Sequence, residues 1–192
     1  MIGMEIALYL LLAQGALGAF DTLYYHEYRL RLPTQHYARH ELQLHAARDF
    51  AYAVLFGTIG WLQWRGLFAW LFLLLLLTEI VITLADFLEE DKIRKLPAGE
   101  RVMHAIMGIL YGLFLAYLLP HIWQWKDQPT GFGATSYGTL SWLLSLMAVG
   151  VAVSGVRDIL SATRRTECPP LLTQWLHTIR DGTEEQDDTT SS

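Results

Sequence analysis

Residues 67–86 read LFAWLFLLLLLTEIVITLAD, and this stretch decides the fold class. Residues 67–85 are almost wholly apolar, with five consecutive leucines at 73–77. At 1.5 Å per residue the run spans nearly the ~30 Å of a bilayer's hydrocarbon core. It nevertheless carries Glu79 inside it and Asp86 at its end. An ionisable group at membrane depth costs roughly 2.5–3.5 kcal/mol on insertion scales, so such groups mark ion pathways, proton relays or bound ligands.

Working outward, comparable runs cover residues 2–20, 50–64, 102–122 and 137–156. The second is short, but its helical pattern extends back to about Gln35. Pro120, near the end of the fourth, fits a helix stop or kink. Gly150, Ser154 and Gly155 suit the fifth to close helix packing. The 192-residue chain is 53% hydrophobic and 17% charged, against about 25% charged in soluble domains. The expected fold is all-α, an integral membrane bundle of five transmembrane helices. Helices 1 and 2, and helices 3 and 4, form hairpins capped on the cytoplasmic side, turning near Pro33 and near residues 96–99. Residues 1–160 make the transmembrane domain. Residues 161–180 form a juxtamembrane segment with an interfacial helix at 171–179, and 181–192 an acidic, disordered tail.

Basic residues orient the bundle. Arg29, Arg31, Arg39 and Arg48 follow the first span, Lys92, Arg94, Lys95 and Arg101 the third, and Arg157, Arg164 and Arg165 the fifth. The alternate connections carry only Arg65 and Lys126. A multi-pass protein of the bacterial inner membrane is expected, with its N-terminus outside and its C-terminus cytoplasmic. No basic residue precedes the first span, which argues for an uncleaved helix rather than a signal peptide. The net charge of −5 argues against nucleic acid as a partner. Cys168 is the single cysteine, so no internal disulfide forms.

The two hairpins repeat a polar pattern. Asp21 ends the first span, and Glu41-Leu-Gln-Leu-His45 lies on helix 2. Asp86 ends the third span, and Glu100-Arg-Val-Met-His104 lies on helix 4. Residues four apart share a helix face. Asp21 and His45 fall at one height, as do Asp86 and His104. Two helices with a lone carboxylate and two with Glu plus His resemble the ligand plan of di-metal carboxylate bundles, which use Glu-x-x-His. The spacing here is four rather than three. The candidate metal ligands are Asp21, Glu41, His45, Glu79, Asp86 and His104, for two iron or other divalent ions.

Each position has a plainer reading. Glu100 complements a helix dipole, and Glu41 pairs with Arg39 or Arg48 on a solvated face. Asp49 is interfacial. His26, His36 and His40 are expected to be solvated near the first turn, while His121 and His177 have no evident partner. Glu79 has Thr78, Tyr111 and Tyr117 as candidate hydrogen-bonding neighbours.

Three functions follow. One is a metal-dependent, di-iron-like oxidase, hydroxylase or desaturase acting on a lipid-like substrate, served by a redox partner. The second is a haem-binding electron carrier with His45 and His104 as axial ligands. The third is a non-enzymatic accessory protein or carrier in which the polar residues are interhelical hydrogen bonds.

Overall fold

The computed structural model describes residues 2–29, 39–93 and 95–163. The chain is predominantly helical. Helix α1 (Ile2–Phe20) runs directly into a π-helical segment, Asp21–Arg29. Then come α2 (Arg39–Ile59), β1 (Leu62–Arg65), α3 (Leu67–Ile93), α4 (Ala98–Trp125), β2 (Gly131–Ala134) and α5 (Thr139–Thr163). Four segments are long and apolar enough to cross a membrane: Gly3–His26, Leu67–Lys92, Ala98–Trp125 and Thr139–Thr163. Helix α2 does not reach that measure, because its N-terminal half carries Arg39, Glu41, His45, Arg48 and Asp49.

Several expected boundaries move. The helical pattern of residues 50–64 breaks at Ile59, and residues 62–65 become a strand. Helix α3 does not stop at Ala85 but continues through the acidic run to Ile93. Pro120 neither stops nor shortens α4, which reaches Trp125. Ala98 and Gly99, expected in a turn, are already helical. Pro33, His36, Cys168, His177, the 171–179 segment and the acidic tail lie outside the described residues.

The bundle packs α1 against α4, and α2 against both α3 and α5. Its core includes Leu8, Leu11, Phe56, Phe72, Phe114 and Leu144. Gly155 brings α5 close to α2; a Cβ there would lie 3.1 Å from that of Asp49. The outside is apolar: Leu71, Leu74, Leu77, Val81, Leu84 and Leu88 form an exposed stripe along α3. Several acids are buried while many leucines lie outside, a pattern unlike that of a soluble bundle.

The two strands close one end of the bundle. They pair antiparallel, Leu62 opposite Ala134 and Arg65 opposite Gly131, and so tie the α2–α3 connection to the α4–α5 connection. Trp61 Nε1 donates to Ser145 Oγ at 2.8 Å, and Ser141 Oγ donates to the Gly60 carbonyl at 2.6 Å. The turn into α3 needs Gly66, whose φ is 59°. Its N–H donates to the Trp125 carbonyl at 2.9 Å. Trp61, Trp64, Trp70, Trp123, Trp125 and Trp142 cluster at this end, as aromatic residues do at a membrane–water interface.

Candidate metal centre

Eight buried ionisable side chains gather at the end opposite the strands, two from each of four helices. The α1–π segment supplies Asp21 and His26, α2 supplies Glu41 and His45, α3 supplies Asp86 and Glu90, and α4 supplies Glu100 and His104. None is more than 8% exposed. On α2, α3 and α4 the two members are four residues apart and share a face. Asp21 and His26 are five apart, which on an α-helix would separate them by about 140°. The π-helix bonds residue i to i+5 and so stacks residues at that spacing. The local change of helix type is what turns both side chains inward.

Two groups of donor atoms result. Asp21, His26, Glu100 and His104 each place one ligand atom within 4.8 Å of the others. His26, His45 and Glu90 do the same. His26 belongs to both. Its Nε2 lies 3.5 Å from Asp21 Oδ2 and 3.4 Å from Glu100 Oε1. His104 Nε2 lies 3.3 Å from Asp21 Oδ2, and its Nδ1 3.6 Å from Glu90 Oε2. His45 Nε2 lies 3.1 Å from Asp86 Oδ2 and 3.8 Å from Glu90 Oε1. The rings of His26 and His45 stack with centroids 4.6 Å apart, and Phe87 stacks on His104 at 4.8 Å.

These separations are long for charge-assisted hydrogen bonds, which run about 2.7–2.9 Å. His26 Nε2, His45 Nε2, Asp21 Oδ1 and Asp86 Oδ1 have no hydrogen-bond partner among the described residues. Donor atoms about 2.0–2.2 Å from a shared ion stand roughly 3 Å or more from each other. The spacing therefore suits ligands facing a common centre.

Among the described residues Arg48 also reaches the cluster, its Nη1 donating to Asp86 Oδ2 at 2.8 Å.

The residues singled out by sequence divide as follows. Asp21, His45, Asp86 and His104 are in the cluster, but they pair across the hairpins: His104 with Asp21 and His45 with Asp86. Glu41 is fully buried one turn from His45 rather than solvated, and Arg48 turns to Asp86. Glu79 is absent from both groups and forms a separate polar site deeper along α3. His26 is buried rather than solvated. His40 is exposed, beside Glu89 at 3.4 Å. Of Glu79's expected neighbours, Tyr111 is near it and Tyr117 is exposed; the hydroxyl that donates to it is that of Thr83, which was not among them.

Three cluster members were missed. Glu90 fell in what read as a connecting loop, and only the extension of α3 places it one turn beyond Asp86. Glu100 was accounted for by the helix dipole, which it still complements from the first turn of α4. His26 lies at a spacing that α-helical periodicity rejects. The detectable signal was the Asp86–Glu90 pair, four apart like Glu41–His45 and Glu100–His104.

A cavity of about 830 Å³ opens beside the cluster. Asp21, Arg48, Thr83 and Phe87 line its upper part, and it continues between α1, α3, α4 and α5 past Phe56, Ile80 and Met147. No protein-family model, curated protein or solved structure matches the chain.

Proposed function

We propose that this chain is a five-span integral membrane protein that binds two divalent metal ions, iron above all, and oxidises a lipid-like substrate. The observation that carries the reading is the convergence of six buried ligand-type side chains from four helices in two donor groups that share His26. Paired imidazoles and carboxylates are the donor set of non-haem iron sites that leave positions open for substrate and dioxygen. A bis-histidine haem would leave five buried carboxylates without a role.

The apolar outer faces of α3, α4 and α5 support a lipid environment. In that setting α2 is the fifth span. Its charged half is sheltered because Glu41, His45 and their neighbours face the other helices. The distribution of basic residues favours a metal centre at the cytoplasmic edge of a bacterial inner membrane, with the strand pair outside. The N-terminus is then external and the C-terminus cytoplasmic. The cavity holds the acyl chain of the substrate.

In hydroxylation, one oxygen atom enters a C–H bond, the other leaves as water, and two electrons and two protons come from a reductant. Bound ferrous iron supplies the dioxygen chemistry. The chain's own part is to place the carbon beside the centre, hold the ligands and exclude water. A redox partner on the cytoplasmic side delivers the electrons.

A single turnover tests this. Iron-loaded protein in phospholipid vesicles is reduced, freed of reductant and exposed to oxygen-18 gas. The expected result is a lipid carrying one oxygen-18 atom, or lacking two hydrogens, in proportion to bound iron. An unchanged lipid extract with iron in place would contradict lipid oxidation and favour an accessory or carrier role.

A further inference from the structure

Two helical turns along α3 from Asp86, and so about 10 Å from it, Glu79 sits at the middle of the Leu67–Ile93 helix. Gln14 of α1, Tyr52 of α2 and Tyr111 of α4 line the same cavity. The rings of Tyr52 and Tyr111 meet edge-on with centroids 6.2 Å apart. Thr83 Oγ1 donates to Glu79 Oε1 at 2.8 Å, which fixes the carboxyl group. Glu79 Oε2, Gln14 Oε1 and the Tyr111 hydroxyl have no hydrogen-bond partner among the described residues. Glu79 is 3% exposed, and Gln14 and Tyr111 are each 9% exposed.

A buried polar group without a partner costs about 1–3 kcal/mol, and a bilayer core offers no bulk water to relieve it. Here three such groups, from three helices, open into one cavity whose walls beside them include Phe56, Ile80, Met147 and Val151. Gly108, Gly112 and Gly150 leave those walls open: a Cβ at any of them would meet no atom within 4 Å. The cavity's 830 Å³ lies within the range of about 300–1,000 Å³ that small-molecule sites occupy.

We infer that the cavity binds an uncharged, chain-bearing lipid through a hydroxyl group held at mid-membrane, beside Glu79, by Gln14 and Tyr111. The donor and acceptor inventory selects that group. Gln14 Oε1 only accepts, whereas the Tyr111 hydroxyl both donates and accepts. A ligand hydroxyl does both in return. A carboxylate has no hydrogen to donate to Gln14, and an ammonium has no lone pair to accept from Tyr111. The chain then runs along the apolar walls, with atoms about 10 Å from the hydroxyl brought level with Asp86. The inference rests on reading the cavity as a lipid site and does not require metal.

The probe is tritiated 1-hexadecanol, titrated against the full chain in detergent after chelator treatment. Saturable binding near one molecule per chain is expected. Unlabelled 1-hexadecanol should displace the label at least tenfold better than hexadecane, a comparison that needs no variant. Gln14→Leu and Tyr111→Phe should each weaken hexadecanol binding three- to tenfold while leaving tritiated hexadecane unaffected. The two changes lie on different helices, so a folding defect in one leaves the other to be read. Equal displacement by alcohol and alkane, or equal affinity in wild type and both variants, would overturn the inference and assign the three polar atoms to internal water. Because binding is read without metal, failure of the metal centre leaves this result unchanged.

Discussion

His26 is where the two donor groups meet, and its side chain makes the sharpest residue-scale distinction. If the cluster holds ions, His26→Ala removes a ligand shared by both sites and should lose most of the bound metal. His40→Ala, one exposed imidazole exchanged on α2, should retain all of it. Elemental analysis of the two purified variants checks this, and equal metal content in both would argue that the cluster is only a hydrogen-bonded network. The sequence showed half of this centre plainly. Asp21, His45, Asp86 and His104 stand out because ionisable groups are rare in apolar spans. His26 did not, since its register with Asp21 exists only on a π-helix. Glu79 stood out for the same physical reason as the true cluster members, yet its depth along α3 puts it in a different site.

At the scale of elements, the π-helical segment depends on its seat against α4. Tyr25 packs over Gly99, and a Cβ at Gly99 would collide with the Tyr25 hydroxyl. Gly99→Val should therefore push the segment away from Glu100, lowering metal content at least severalfold while the rest of the bundle stays helical by circular dichroism. The strand end tests packing rather than chemistry. Gly66 adopts a left-handed conformation against the Thr130 backbone. Gly66→Ala should cost about 1–3 kcal/mol, read as a lower midpoint of unfolding in detergent with metal stoichiometry unchanged. Helix positions were legible because long apolar runs leave few alternatives. Their ends were not. Helix α3 runs through Glu89-Glu90-Asp91 because Glu90 turns inward to the cluster, a tertiary reward that composition does not reveal. Residues 62–65 leave the helical pattern because their partner strand lies in the connection 131–134, far along the chain.

At the scale of the whole molecule, the proposal puts the centre at the cytoplasmic edge of a membrane, an orientation that reporter fusions test. A fluorescent protein fused to the C-terminus should fold and fluoresce in a bacterial host, and one fused to the N-terminus should not. The reverse pattern would place the metal centre on the outer face and remove the argument for a cytoplasmic redox partner. The apolar core and apolar exterior also set how the bundle holds together. Large side chains such as Phe56, Phe72 and Phe114 pack at its centre. Lipid supplies little hydrophobic drive between helices, so close packing and interhelical polar contacts carry more of the association. The metal ions proposed here would add to that by joining four helices at one end, while the strand pair joins two connections at the other.

The central claim is a two-ion centre, and metal stoichiometry tests it most directly. The full chain, purified in detergent without a histidine tag, should contain about two iron or other divalent ions per molecule, lost together on chelation. A chain that folds and purifies without stoichiometric metal, and takes up none when ferrous iron is supplied anaerobically, would contradict the account.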